Sequence, residues 1–206
     1  MEFVFVSICG LLIGTFGLAL WGLSLRDSDP FTAEVVPIKE GRDGQVIRVT
    51  GRIRFAESVA SVLGETVVLF DLELREPGVT KNSGYSRVLK ESRTGSFVLE
   101  DHSGRARVDT ASVSLVPARG TPFTAIDERV VALLDRRNRL GEDWRQTLRQ
   151  RYISAQEGDR VSVVGRCRRD EEGAYRADGG VVLEASEGAP LLILIERPRS
   201  KRAKET

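Results

Sequence analysis

Hydrophobic positions along this chain change their period three times. From Phe3 to Leu25 they run without interruption by any Asp, Glu, Lys or Arg. As a helix at ~1.5 Å per residue this stretch is about 34 Å long, enough for a hydrocarbon core of roughly 30 Å. Gly10, Gly14 and Gly17 are tolerated in such a helix, and Trp21 suits the lipid–water interface. The chain begins Met1-Glu2, without the basic start of a cleaved signal, and Trp21 to Leu25 before Arg26-Asp27 makes a poor cleavage site. The expectation is an uncleaved, single-pass transmembrane anchor over residues 3–25, with the bilayer as its first partner. Gly10-Leu11-Leu12-Ile13-Gly14 has the small-xxx-small spacing by which two such helices self-associate. Arg26 beside the span, with no basic residue before it, tips the following domain toward the cytoplasmic side.

Residues 26–44, with Pro30, Pro37, Gly41 and Gly44 and no clear period, read as a linker. The period then becomes two. Ile47, Val49, Ile53 and Phe55 alternate with Arg48, Thr50, Arg52 and Arg54, a strand with one apolar and one charged face. Gly51 in its middle predicts a bulge or sharp bend of the kind that curls a small barrel. Thr66 to Leu74 predicts a second strand with Val68, Phe70, Leu72 and Leu74 on one face, and Ser86 to Glu91 a third. Ser96–Glu100 and Arg105–Asp109 flank Asp101-His102-Ser103-Gly104, a hairpin with its turn residues in place.

A helical period follows. Asp127 is placed to cap a helix that turns Val130, Val131, Leu133, Leu134 and Leu140 to a core, until Gly141 breaks it. Trp144, Leu148 and Tyr152, four apart, predict a second helix. After Gly158-Asp159 the β period returns with Val161, Val163 and Cys167 around Gly165, then Val181 to Leu183, and finally Leu191 to Ile195, too short to span a membrane and right for a buried strand. The predicted architecture is mainly β with a helical insertion, an OB-like partly closed barrel over 45–195, followed by a basic tail, 196–206.

Charge narrows the functional classes. Thirty-one basic residues against thirty acidic ones leave a net charge of +1, so no overall field favours nucleic acid or acidic substrates. Two cysteines, Cys9 in the apolar run and Cys167 in the domain, and one histidine exclude a Cys/His zinc site, and no metal or other cofactor is expected. No Gly-rich phosphate loop stands in a strand-to-helix context. His102 between Asp101 and Ser103 spells a triad in composition only, because neighbours in a tight turn point apart. Cys167 lies among Arg166, Arg168 and Arg169, which would lower a thiol pKa, but its alternation with Val161 and Val163 places it in the core. Arginines 136, 137, 139, 145, 149 and 151 interleave with Glu128, Asp135, Glu142 and Asp143, the pattern of a solvated, ion-paired face. The tail cations Arg197, Arg199, Lys201, Arg202 and Lys204 could touch anionic lipid at about 1 kcal/mol each. No catalytic, cofactor-binding or metal residue is assigned.

Val49-Thr50-Gly51-Arg52, then Ser96 through Asp109, then Arg151-Tyr152-Ile153 with Gly158-Asp159-Arg160-Val161-Ser162-Val163-Val164-Gly165, occur in that order. This resembles the domain of the GIDE/MULAN-type membrane-anchored ubiquitin ligases and their bacterial and archaeal relatives, over roughly Gln45 to Ile195. The ligases carry a second span and a zinc-binding RING after the domain. This chain has no zinc ligands for one, so the resemblance implies a membrane-proximal β domain that engages proteins, not ligase activity. The functional expectation is a membrane-anchored, non-catalytic binding or scaffold module for a protein partner. The alternative is an OB-like sensor of a ligand or of single-stranded nucleic acid, disfavoured by the scarcity of strand aromatics beyond Phe97 and Tyr175.

Overall fold

The computed structural model of the chain describes residues 30–77, 85–136, 147–169 and 180–196. The expected anchor 3–25, the tail beyond Glu196 and Trp144 of the expected second helix lie outside these residues. Among the described residues no helix is long and apolar enough to cross a membrane. Val35–Thr206 forms one compact unit; the other, Met1–Glu34, is described only from a 3-10 turn at Pro30–Thr32.

A second 3-10 turn, Ile38–Glu40, precedes strands β1 (Val46–Arg54), β2 (Val59–Ala60), β3 (Thr66–Val67), β4 (Leu69–Pro77), β5 (Tyr85–Thr94), β6 (Phe97–Glu100), β7 (Arg105–Val108), β8 (Val113–Val116) and β9 (Thr124–Ala125). Helix α1 (Glu128–Arg136) follows, then β10 (Arg149–Ala155), β11 (Arg160–Arg169), β12 (Val181–Glu184) and β13 (Leu191–Ile195). Strands run β1-β6-β7-β12-β11 and return to β1, closing a five-stranded barrel in which only the β7–β12 pair is parallel. β13 and β8 extend from β11 as a flap.

Period two makes the barrel because each strand has one face for the interior. Val49, Ile53, Leu99, Val161, Val163 and Leu183 fill it, and Ile38, from the stretch read as a linker, joins the same core. Two glycines sit where strands change partners. β1 pairs with β11 through Arg52 and with β6 from Arg52 onward, with Gly51 at the corner. β11 pairs with β13 up to Val164 and with β12 from Arg166, with Gly165 between. A Cβ on Gly51 would lie 2.5 Å from the Glu100 carbonyl oxygen, and one on Gly165 2.8 Å from that of Glu184. The expected bends are thus places where backbone meets backbone.

The insertion is more than helical. β4 and β5, inserted between β1 and β6, pair with β10 and β9, inserted between β7 and β11, as the four-stranded sheet β5-β4-β10-β9. Helix α1 covers one face, packing Val130 and Leu134 on Leu72, Leu74 and Leu148. Asp127 caps it as expected, its Oδ1 accepting from Arg129 N–H at 2.8 Å.

Three expectations are corrected. Leu148 and Tyr152 do not belong to a second helix: Tyr152 lies in β10, opposite Leu72 of β4. A spacing of four keeps residues on one face in a strand as well as in a helix, so the pattern could not separate the two. The stretch Thr66 to Leu74 is broken at Val68, whose N–H donates to Ala155 O while β3 turns away to pair with β2. Phe55 leaves the inward row of β1. Its φ of 47° ends the strand, and the residue is 64% exposed.

Candidate functional site

The β6–β7 turn is pinned from within and from outside. Asp101 Oδ1 accepts from Ser103 N–H (2.7 Å), Ser103 Oγ–H (2.7 Å) and Gly104 N–H (2.9 Å), while Oδ2 accepts from Ile38 N–H (3.0 Å). Lys39 N–H reaches Ser103 Oγ at 3.2 Å. Burial alone would raise the Asp101 carboxyl; the hydrogen bonds from Ser103, Ile38 and Gly104 outweigh it and hold the group below the usual aspartate range. His102 stands exposed on this stiff turn and makes no hydrogen bond among the described residues. Asp101 and Ser103 bond each other directly, so the three letters form no Ser–His–Asp relay.

Two adjoining hollows, about 340 and 420 Å³, open along the outer face of β1 beside this turn. Thr50, Asp101, His102 and Arg160 line both; Gly51, Arg52 and Glu100 complete one, and Val35, Pro37, Arg48 and Glu196 the other. The β1–β11 register sets Thr50 opposite Ser162 and Arg52 opposite Arg160. Thr50 Oγ1 and Ser162 Oγ share a 2.6 Å hydrogen bond, and Ser162 Oγ–H donates to Glu196 Oε1 at 3.0 Å. Glu196 Oε2 holds Arg160 Nε at 3.0 Å.

A second surface lies where β1 ends. Phe55 lies under the Arg105 guanidinium, 5.0 Å from its ring centroid. Glu100 pairs with both Arg54 (3.0 Å) and Arg105 (2.9 Å), whose hydrogen bonds hold its carboxyl below the usual glutamate range. Phe55 N–H donates to Glu157 Oε1 at 3.0 Å, fixing the left-handed backbone. Left-handed φ is uncommon for a bulky side chain, and such strain collects at functional sites. Phe55 and Val35 are the large apolar side chains left exposed among the described residues.

Cys167 is buried on the inner row of β11, as its alternation predicts. Burial pushes its thiol up, a rise that Arg169 offsets only in part. In a Cys9→Ser background the thiol should therefore label with a disulfide reagent only as fast as the domain unfolds. Labelling within seconds in native buffer would contradict this placement.

The expected arginine-rich helical face is split. Arg137, Arg139 and Arg145 lie outside the described residues, while Arg149 and Arg151 belong to β10. There Arg151 pairs with Glu73, which also binds Arg75 (2.8 Å) and Arg87 (3.1 Å). Phe123 lies under both Arg75 (4.6 Å) and Arg151 (4.7 Å). These cations hold a sheet face together by ion pairing and stacking. Comparison with protein-family models, with curated proteins and with solved structures finds no match for the chain.

Proposed function

We propose that the chain is a membrane-anchored, non-catalytic binding module of OB type, related to the GIDE/MULAN membrane-anchored domains, that engages a protein partner through Phe55 and its arginine surround. The order of the closed barrel supports the OB-type reading: counted around the ring, the five strands run first, second, third, fifth, fourth, with the third and fifth parallel. Barrels of this type bind along the second and third strands and the loop between the first and second. Here that region is β6, β7 and the segment that Phe55 opens.

The observation that carries the reading is an exposed phenylalanine held at φ 47° with an arginine over its ring. Aromatic and arginine side chains dominate the energetics of protein interfaces. Single-stranded nucleic acid is read by successive stacking rings on a cationic track. Here one ring stands out among the described residues, and Arg54 and Arg105 are neutralised by Glu100.

Phe55→Gly tests the reading, because it removes the ring and the strain together. The full-length chain, purified in mild detergent, should lose its partner protein at least tenfold on this substitution, with nuclease treatment making no difference. Its stability should hold or rise by about 1 kcal/mol, since glycine accepts positive φ without cost. Unchanged partner recovery with Phe55→Gly would refute the role of the ring.

A further inference from the structure

We propose that the groove between β1 and the β6–β7 turn is a binding site for the phosphate group of a small organic ligand, received by Arg52 and His102. The site adjoins the Phe55 surface, with Glu100 shared between them, and does not depend on the protein-partner reading.

The carboxylates around the groove are already engaged. Asp101 is filled by four donors, and Glu196 uses one oxygen for Ser162 and the other for Arg160. Glu100 is committed to Arg54 and Arg105. Arg52 is in a different position. Its one side-chain hydrogen bond among the described residues runs from Nη1 to the Gly158 carbonyl at 2.9 Å, and it has no carboxylate partner among them. A guanidinium carries five N–H donors, so most of its capacity is unspent. The His102 ring has no hydrogen bond among the described residues. Both residues line one hollow with Thr50, Glu100, Asp101 and Arg160.

The chemistry of that wall selects the ligand. A carboxylate fills one guanidinium fork, whereas a phosphate has three oxygens and close to two charges at neutral pH, enough for a fork, an imidazole and a further cation together. Hollows of about 340 and 420 Å³ lie in the range of small-molecule sites. The receiving groups are preorganised. Arg52 and Arg160 face each other in the β1–β11 register, and the turn bearing His102 is locked by Asp101. The phosphate could belong to a soluble ester or to a phospholipid headgroup, and the two sources share this chemistry.

His102 is the sole histidine of the chain, so its imidazole carbon-bound proton gives a single, unambiguous magnetic-resonance signal. The full chain, carrying a tag without histidine, is titrated in a zwitterionic detergent with inorganic phosphate and with glycerol 3-phosphate, against chloride at matched ionic strength. The expected result is a saturable shift of the His102 signal with phosphate and none with chloride. Arg52→Ala should weaken the midpoint about tenfold or more, and Arg52→Lys, which keeps the charge without the fork, should weaken it less. Vesicles of phosphatidylcholine with and without phosphatidic acid separate the sources: saturation with glycerol 3-phosphate assigns a soluble ester, and a response only to phosphatidic acid assigns a headgroup. A His102 signal that moves with none of these probes, moves equally with chloride, or moves equally in the Arg52→Ala chain would overturn the proposal.

Discussion

Glu73→Gln is expected to remove about 3–5 kcal/mol of stability, the cost of leaving part-buried cations without their counter-charge. Glu73 is 2% exposed and lies at the centre of the sheet face opposite α1. Its Oε1 accepts from Arg75 and Arg87, and its Oε2 from Arg151, whose side chain is 19% exposed. Glutamine can replace only half of this: its amide oxygen can accept from Arg75 and Arg87, but its NH2 then faces the Arg151 donor, and the negative charge opposite all three arginines is gone. Arg87→Ala is the control: its side chain is 59% exposed, so its loss should cost no more than about 1 kcal/mol. Denaturant unfolding of the full chain in detergent, followed by circular dichroism, measures both.

The same residue fixes part of the acid response. Burial would raise the Glu73 carboxyl, but hydrogen bonds from Arg75 and Arg87 and the charge of Arg151 bring it below its ordinary value. A carboxyl lowered in the folded state contributes stability that is present above its unfolded pKa of about 4.3, and that fades as pH falls through the folded value. The gap between wild type and Glu73→Gln should therefore be full at neutral pH and narrow below about pH 4. Its neighbour on the same strand face, Asp71, works the other way. Burial raises it, more than Lys90 at 3.5 Å lowers it, so protonating Asp71 favours the fold as pH falls. A gap that stayed constant down to pH 2 would show that the Glu73 charge has no part in holding the three arginines.

Much of the barrel was legible because its outer face is polar. β1, the β6–β7 hairpin, β11 and β13 each alternate, or run short and apolar, between clear turns, and they stand where the pattern places them. The pattern fails where both sides of a strand are covered. Val67, Val68, Leu69 and Phe70 are all buried, so no alternation marks the break at Val68. Asp71 and Glu73 look like the solvent face of β4, but side chains from β5 and β10 close over them. The cover from β10 depends on a register between residues some eighty positions apart, which no local window contains. The groove was hidden for the same reason. The His102 turn was readable, but its wall joins Arg52 and Arg160, brought together by the β1–β11 pairing that closes the barrel, and Glu196, brought by the β13–β11 pairing. Nothing in the local sequence marks Phe55 as left-handed; that follows from the strand ending there and from the Glu157 carboxylate receiving its N–H.

The sharpest test of closure is Gly51→Ala. At most positions one methyl group costs little, and even at Gly120, where φ is +74° and nothing lies within 4 Å of an added Cβ, alanine should cost only about 1–2 kcal/mol of backbone strain. At Gly51 the φ is ordinary but the space is absent: the new carbon would stand 2.5 Å from the Glu100 carbonyl oxygen and 2.9 Å from its carbon. That obstacle is backbone, held in β6 by its pairing with Arg105 in β7 and Arg52 in β1. It cannot rotate away as a side chain would, so either the Arg52–Glu100 crossing opens or β1 loses its switch from β11 to β6. An expected loss of about 3 kcal/mol or more follows from overpacking against a fixed strand, well beyond that of Gly120→Ala. Gly165→Ala, 2.8 Å from the Glu184 carbonyl oxygen at the other switch, should fall between the two. If Gly51→Ala unfolded at the same denaturant concentration as wild type, the two strands would have room the closed barrel does not allow, and closure at this corner would be wrong.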